Sequence, residues 1–237
     1  MRTVAVVLAA GSGSRFGSAR PKQLRVLAGR NLIEHCVQAF EHAPGVDDIL
    51  VVTGAAIQEQ VARDLRGHAK VTAVIPGGAS RTESTRQALA WLTASMPGDV
   101  KVLFHDAARP LVDQRIIADC VAALDQWQAI GVVVPSSDTI VEVADGTIQR
   151  VLPRHALARC QTPQGFRLPV ISKAYQLAAA DPAFATIPAT DDCGVVLRYL
   201  PEVKIGAVSG SERNLKITYT DDLAVANALI DPRLQAD

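Results

Sequence analysis

The sequence predicts an α/β fold with a mostly parallel sheet and helices on both faces. Seven consecutive apolar residues, Val4–Ala10, are rich in β-branched valine and too few to cross a membrane, so they predict a fully buried strand. Short apolar runs then alternate with segments whose apolar residues recur at helical spacing, as far as Val134. This β–α alternation is typical of a parallel sheet covered by helices.

The elements follow one another at short intervals, within one predicted domain spanning 1–237. Strands are predicted at 4–10, 49–53, 71–75, 100–104, 130–134 and 203–208, and helices at 31–40, 57–65, 81–92, 115–124, 169–180, 191–200 and 221–230. Asn31, Thr190 and Thr220 are the predicted N-caps of three of these helices, because their side chains can accept a hydrogen bond from a free first-turn N–H.

The periodicity changes to strict alternation between Asp138 and Leu152. Asp145-Gly146 lies between the alternating runs, which is the strongest short-range signal for a β-hairpin. A two-stranded ribbon is only marginally stable alone in water. Residues 138–152 are therefore predicted to form a protruding arm that packs on another surface, with a second subunit as the candidate.

Composition excludes several classes of protein. Lys plus Arg and Asp plus Glu number 24 each, so no net charge favours nucleic acid or an anionic membrane as a partner. The four cysteines are widely spaced, which is typical of free thiols in a reducing compartment. No later segment approaches the ~20 apolar residues of a membrane span. We expect a cytoplasmic protein.

A glycine-rich loop with cations follows the first predicted strand. Gly11 and Gly13 allow backbone N–H groups to approach an anion closely, and Arg15 and Lys22 add positive charge beside them. The stretch predicts a binding site for a triphosphate. A dinucleotide site is less well matched, because the glycine spacing is one residue too long. A short secretory signal and a plain solvated loop are the other readings.

A second loop follows the third strand and opens a helix. Gly78 and Ser84 can offer backbone and hydroxyl groups to a nucleotide, and Arg81 can hold a phosphate. An ordinary turn with a solvated arginine explains the same residues.

Asp106 follows an apolar strand and is expected at the same sheet edge as the glycine-rich loop. A carboxylate there can ligate Mg²⁺ that bridges substrate phosphates, and Arg109 can pair with Asp106 or with another anion. The alternative is a buried Asp–Arg pair that fixes the loop. A histidine in such a position is more often a structural hydrogen-bonding residue than a base, and His105 is left unassigned.

Three later polar segments are less specific. Residues 161–166 are predicted to form a polar loop, and the acids Asp191 and Asp192 suit the first turn of a helix. Lys216 is an isolated cation that could hold a second phosphate-bearing substrate or could be a surface lysine.

Together these stretches resemble the 2-C-methyl-D-erythritol 4-phosphate cytidylyltransferases of the non-mevalonate isoprenoid pathway. The matching segments appear in family order along nearly the whole chain: 9–15, 21–23, 77–78 with Arg81, 105–110, 138–139, 161–164 and 216–218. The resemblance implies a Rossmann-like nucleotidyltransferase fold and a homodimer joined through the arm. It also implies Mg²⁺-dependent transfer of CMP from CTP to methylerythritol phosphate, with release of pyrophosphate.

The resemblance also implies individual roles. Arg15 and Lys22 would stabilise the charge that develops at the α-phosphate, and Asp106 would orient the nucleotide or its metal. The implied nucleotide contacts are Ala9, Ala10, Gly11, Gly13, Gly78, Ala79, Arg81 and Ser84. The implied sugar-phosphate contacts are Arg154, Lys216, Arg109, Thr139, Thr162 and Thr190.

Some positions depart from the family pattern, and alternatives remain open. Pro153 stands where the family usually has Asp, Ala158 where it has Trp, and Asp192 where it has Glu. A ribitol-5-phosphate cytidylyltransferase would differ mainly in the pocket for the sugar alcohol. An NAD-dependent oxidoreductase is disfavoured by the glycine spacing, and a non-catalytic nucleotide sensor by the combination of Arg15, Lys22 and Asp106.

Overall fold

The computed structural model describes residues 1–11, 21–96 and 98–230. The strands in these ranges are β1 Thr3–Ala9, β2 Val26–Leu27, β3 Arg30–Asn31, β4 Asp48–Thr53, β5 Val71–Pro76, β6 Lys101–Asp106, β7 Ala129–Pro135, β8 Val141–Ala144, β9 Thr147–Val151, β10 Ala158–Arg167 and β11 Ile205–Ser209. The helices are α1 Leu32–Glu41, α2 Gln58–Asp64, α3 Arg81–Ser95, α4 Gln114–Gln126, α5 Leu168–Ala180, α6 Ala183–Thr186, α7 Asp192–Tyr199 and α8 Thr220–Ile230.

In the part of the chain so described, a seven-stranded sheet has the order β11-β7-β10-β6-β1-β4-β5. The neighbouring pairs are parallel except where β10 runs antiparallel to both β6 and β7. The predicted α/β fold with a mostly parallel sheet is confirmed. The chain extends to one side of β1 first and then to the other, which makes the gap between the β1 and β6 loops a topological switch point.

The central strand β1 is buried on both faces, as its unbroken apolar sequence predicts. Val4, Val6 and Leu8 pack in one core with residues of α3, α5 and α7. Their sequence neighbours on β1 pack in a second core with α1, α2 and α4. Helices therefore cover both faces, and the strand ends, not its faces, are left to carry chemistry.

The structure bears on all three predicted N-caps, and Thr220 is itself the first residue of α8 and not the residue before it. Asn31 caps α1 in a reciprocal capping box with Glu34, as predicted. Thr190 does not cap α7: the N-cap is Asp191, whose Oδ1 accepts a hydrogen bond from the Gly194 N–H at 2.8 Å. The carboxylate is the stronger acceptor at a helix N-terminus, so the helix begins one residue later than the threonine predicts.

The prediction of a polar loop at 161–166 is wrong, because these residues lie within the ten-residue strand β10. Its polar side chains and its proline interrupt the alternation of apolar and polar residues by which a strand is predicted from sequence. The ladder to β7 shifts register between Gln161 and Gln164, which accommodates the residues between them.

The predicted hairpin is confirmed as a separate two-stranded sheet of β8 and β9. Asp145 and Gly146 both have positive φ, 50° and 74°, as a two-residue hairpin turn requires. One face of the arm carries Val143 and Ile148 as a cross-strand pair, and these side chains are 62% and 66% exposed. The opposite face carries an ion pair of Glu142 with Arg150.

All four cysteines are free thiols. Cys36, Cys120 and Cys193 are buried and Cys160 is exposed. No helix within the described ranges has both the length and the hydropathy needed to cross a bilayer.

Candidate active site

A cleft of about 180 Å³ opens at the sheet edge where β6 ends. The register of the two central strands places Asp106 directly beside Leu8, just before the loop that follows β1. Because β10 is antiparallel, its first residues reach the same edge. The cleft is lined by Arg81, Asp106, Arg109, Cys160, Gln161, Thr162, Gln164, Thr190, Asp191 and Lys216.

Asp106 is the anion around which this cleft is built. Its Oδ1 lies 3.1 Å from Nε of Arg81 and its Oδ2 lies 2.7 Å from Nζ of Lys216. Burial alone would raise the pKa of Asp106, but the positive charges of Arg81 and Lys216 hold it well below its usual range. The carboxylate is therefore ionised and oriented at neutral pH. Lys216, which the sequence leaves as an isolated cation, is brought to the site.

Arg81 is bound differently from what the sequence predicts. Its guanidinium bridges two carboxylates, with Nε on Asp106 and Nη2 at 2.8 Å from Oδ2 of Asp192. Burial would lower the pKa of Arg81, but the two carboxylates raise it. The arginine thus orients side chains of the site.

Asp192 is the residue that sequence reasoning missed. Its position in a first helical turn is explained well enough by the helix dipole, so its spacing gives no signal of burial. In the structure it is fully buried and accepts hydrogen bonds from the Tyr175 hydroxyl at 2.6 Å and from Thr85 Oγ1 at 3.1 Å.

His105 and Thr162 fix the backbone beside Asp106. The Thr162 hydroxyl accepts a hydrogen bond from the Asp106 N–H at 3.1 Å and lies 3.0 Å from Nδ1 of His105. Nε2 of the same ring lies 3.0 Å from the Arg109 carbonyl oxygen and so acts as the donor. Burial lowers the pKa of His105 to about 4. The histidine is neutral and structural.

The proposed pairing of Arg109 with Asp106 is not observed. The Arg109 guanidinium donates to the carbonyl oxygens of Asn214 at 2.8 Å and Cys160 at 3.3 Å. Asn214 in turn donates to Oε1 of Gln161 and to the Thr162 carbonyl. This buried network attaches the segment that carries Lys216 to the start of β10. The sequence predicts that Asn214 and Gln161 are polar loop residues, and nothing in their spacing predicts that their side chains contact each other.

Of the two predicted catalytic cations, Lys22 is among the described residues and Arg15 is not. Nζ of Lys22 donates to the Ile217 carbonyl oxygen at 2.7 Å, next to Lys216. Gln23 donates to the Gly11 carbonyl oxygen and so ties the residues just after β1 to the turn at Lys22–Leu24. Arg15 and Gly13 lie outside the described residues.

The second predicted nucleotide loop packs directly against the first. A Cβ on Gly77 would lie 2.4 Å from Cβ of Ala10, so only glycine permits this approach. The Ser84 hydroxyl accepts from the Gly78 N–H at 3.2 Å and donates to the Ser80 carbonyl oxygen at 2.9 Å. Ser84 is buried and orders the loop, whereas Ala79 is exposed at its tip.

The structure does not bring Thr139 and Arg154 to the cleft of this chain. Both are exposed near the base of the arm, and Nη1 of Arg154 donates to the Ser137 carbonyl oxygen at 3.2 Å. Thr162 and Thr190, the other two predicted threonines, both line the cleft.

The described residues contain no group of three His, Cys, Asp or Glu side chains with the arrangement of a metal site. Both oxygens of Asp106 already accept cationic partners. The side chains present therefore do not fit a protein-built cage for a divalent ion.

Comparisons with known proteins agree with this geometry. A family model described as 2-C-methyl-D-erythritol 4-phosphate cytidylyltransferase matches residues 3–232. The protein of that name from Thermobifida fusca is 51% identical, over 97% of this chain and 93% of its own length. A solved 4-diphosphocytidyl-2C-methyl-D-erythritol synthase from Anaerococcus prevotii superposes with a TM-score of 0.83 at 25% identity, covering 97% of this chain and 98% of its own.

One further relative bears on the substrate. A bifunctional ribulose 5-phosphate reductase/CDP-ribitol pyrophosphorylase from Haemophilus influenzae is 37% identical over 98% of this chain, which spans 49% of that protein.

Proposed function

This chain belongs to the 2-C-methyl-D-erythritol 4-phosphate cytidylyltransferase family, and from that membership we propose how its cleft works. The enzyme transfers CMP from CTP to 2-C-methyl-D-erythritol 4-phosphate and releases pyrophosphate. The observation that carries the assignment of the site is the ionised Asp106, held between Arg81 and Lys216 beside the end of β1. We assign the loops after β1 and β5 to the nucleotide and the Lys216 side of the cleft to the sugar phosphate.

The chemistry depends on placing charges. In an in-line displacement at the α-phosphate, an oxygen of the acceptor phosphate attacks phosphorus and the bond to the pyrophosphate oxygen breaks. That attacking oxygen is already anionic at neutral pH, so no protein base is required. His105 fits this, since its ring is neutral and both of its nitrogens contact protein atoms. Lys22, together with Arg15, is assigned to the negative charge that develops at the transferred phosphoryl group.

Mg²⁺ is part of the proposal as an ion carried by the CTP phosphates. When bound, it would neutralise phosphate charge, and Mg²⁺ commonly keeps several waters while bridging substrate phosphates. Asp106 would meet such an ion through water, because Arg81 and Lys216 occupy its two oxygens.

A homodimer joined through the arm is the proposed assembly. The exposed apolar face of the arm, with Val143 and Ile148, opposes a face that carries the Glu142–Arg150 ion pair. A hairpin that is apolar on one side is stabilised when that side is covered. A cytoplasmic location is supported by the four free thiols.

The experiment that tests the function is pyrophosphate release with CTP and Mg²⁺, offering methylerythritol phosphate and ribitol 5-phosphate separately. Release with methylerythritol phosphate, at a kcat/KM far above that with ribitol phosphate, is the expected result. The reverse preference would keep the fold and the reaction type and change the acceptor, as the Haemophilus influenzae relative illustrates. Release with neither acceptor would overturn the assignment.

A further inference from the structure

A buried carboxylate lies behind the cleft and is not part of its lining. Asp192 is 0% exposed in the first turn of α7. A buried charge is retained in a stable fold only where it is paired and hydrogen-bonded. The groups that contact the Asp192 carboxylate therefore indicate its role.

Two helices and one strand supply the partners of Asp192. Thr85 on α3 and Tyr175 on α5 both donate to Oδ1, at 3.1 Å and 2.6 Å, while Oδ2 faces the Arg81 guanidinium at 2.8 Å. The Asp192 N–H donates to Oε1 of Gln164 on β10 at 3.1 Å. Both carboxylate oxygens and the N–H of this aspartate thus have partners on α3, α5 or β10, so its carboxylate cannot turn without disturbing those contacts.

The guanidinium of Arg81 is consequently held at two points. A planar guanidinium that contacts carboxylates through two of its nitrogens has a fixed plane. Lys216, the other cation on Asp106, has a side chain that is 41% exposed on the cleft side. A phosphate that enters the cleft competes for this exposed lysine, and Arg81 is then the described cation that keeps Asp106 in place.

We infer that Asp192 is a positioning residue for CMP transfer: with Tyr175 and Thr85 it fixes the Arg81 guanidinium, which fixes the Asp106 carboxylate at the nucleotide. The inference rests on the proposed function, because Asp106 meets a nucleotide only there. Tyr175 and Asp192 are not among the residues that line the cleft, so both act through Arg81.

The test begins with Asp192→Asn, which keeps the side-chain shape. Its remaining oxygen still accepts from Tyr175 and Thr85, but its amide group then faces the guanidinium as donor against donor. We expect kcat to fall ~10-fold or more while KM for CTP changes less than ~3-fold, measured well below the melting temperature. Tyr175→Phe removes one hydrogen bond and should lower kcat ~3-fold, with little further loss when it is added to Asp192→Asn.

A matched control exists elsewhere on the same helices. Asp181 accepts hydrogen bonds from the Tyr199 hydroxyl at 2.6 Å and from Arg198 at 2.8 Å, which is the same carboxylate–tyrosine–arginine chemistry outside the cleft. Asp181→Asn and Tyr199→Phe should leave kcat and KM at wild-type values.

A second readout does not need turnover. Rotation of the Arg81 guanidinium about its Nε–Cζ bond, measured by ¹⁵N NMR, should be slow in the wild type and in Asp181→Asn and at least ~10-fold faster in Asp192→Asn. Should that variant not fold, Tyr175→Phe should show a smaller increase of ~3-fold, in line with its loss of kcat. Unchanged rotation, or faster rotation with unchanged kcat, would overturn the inference. A wild type inactive with both acceptors overturns the proposed function instead, and the rotation alone then decides whether Asp192 holds Arg81.

Discussion

Nζ of Lys22 donates a hydrogen bond to the carbonyl oxygen of Ile217 at 2.7 Å, although 195 positions separate the two residues. The turn that follows the glycine-rich loop is thereby attached to the segment that carries Lys216. Ile217 is anchored in turn, since its N–H donates to the Ala108 carbonyl oxygen at 2.8 Å. The two cations that the sequence assigns to different substrates therefore share one wall of the site.

Lys22→Ala should lower turnover far more than it weakens CTP binding. A charge that acts on the transition state changes kcat, and loss of one such donor costs a factor of ~10²–10³. Steady-state kinetics with pyrophosphate release, together with calorimetric CTP binding, separates the two effects. Lys70→Ala is the matched control, because its Nζ likewise donates to a backbone carbonyl, that of Ala43, at 2.8 Å. Equal losses of kcat and affinity in Lys22→Ala would contradict a transition-state role.

Gly77→Ala should damage both stability and CTP binding. The new methyl group would lie 2.4 Å from Cβ of Ala10 and 2.8 Å from Oγ of Ser84, and it would push apart the two loops assigned to the nucleotide. Overpacking of this kind costs ~1–3 kcal/mol of unfolding free energy. Urea unfolding and CTP titration measure the two effects. Gly54→Ala, where no described heavy atom lies within 4 Å of the added carbon, should be near neutral; equal behaviour of the two variants would contradict the packing argument.

His105 should make the protein less stable as the pH falls from 6.5 towards 4. Burial lowers the pKa of His105 in the folded state from 6.5 to about 4, so the unfolded chain binds more protons in this interval. The contribution of His105 to the free energy of unfolding is full above pH 6.5 and is lost progressively below it. The pKa difference between the folded and unfolded states corresponds to a loss of up to ~3 kcal/mol. Chemical denaturation at several pH values measures the decline.

His105→Gln, which cannot be protonated, should flatten that dependence, at some cost in stability at neutral pH. His155→Gln, at an exposed position, is the control that should retain the wild-type slope. The same slope in His105→Gln as in the wild type would assign the pH dependence to other groups.

Ile148→Asp should convert the proposed dimer into a monomer. The side chain is 66% exposed on the apolar face of the arm, opposite Val143, and a carboxylate there would be buried unpaired in an interface. Light scattering coupled to gel filtration gives the mass directly. Ala144→Asp places the same charge on the face that carries Glu142 and should remain dimeric. If the wild type has the mass of a monomer, the proposed homodimer is contradicted.

The parallel strands and most helices could be predicted because each element carries its own signal. Val4–Ala9 is buried on both faces and reads as continuous apolar sequence, and Asn31 with Glu34 marks a helix start. β10 could not be predicted in this way, since Gln161 and Gln164 point to loop chemistry when their partners are unknown. Those partners lie 50 and 27 positions away, at Ser211 and Asp191.

The site shows the same division. Asp106 and Lys216 could be selected from residue type and position, because each follows an apolar strand. The roles of Arg81 and Asp192 depend on a contact between α3 and α7. Thr85 and Arg81 lie 107 and 111 positions before Asp192, so no local sequence pattern predicts this contact.

The antiparallel direction of β10 divides the cleft between two separate lengths of chain. Residues up to Arg109 supply the loops and the carboxylate assigned to the nucleotide, while 158–216 supply the walls assigned to the acceptor. These two lengths are joined by the Lys22–Ile217 hydrogen bond and the Lys216–Asp106 ion pair, so a change in the acceptor wall also moves groups assigned to the nucleotide. A chimera that joins 1–110 of this chain to the later half of a CDP-ribitol-forming relative should therefore be active only if both of these contacts are kept.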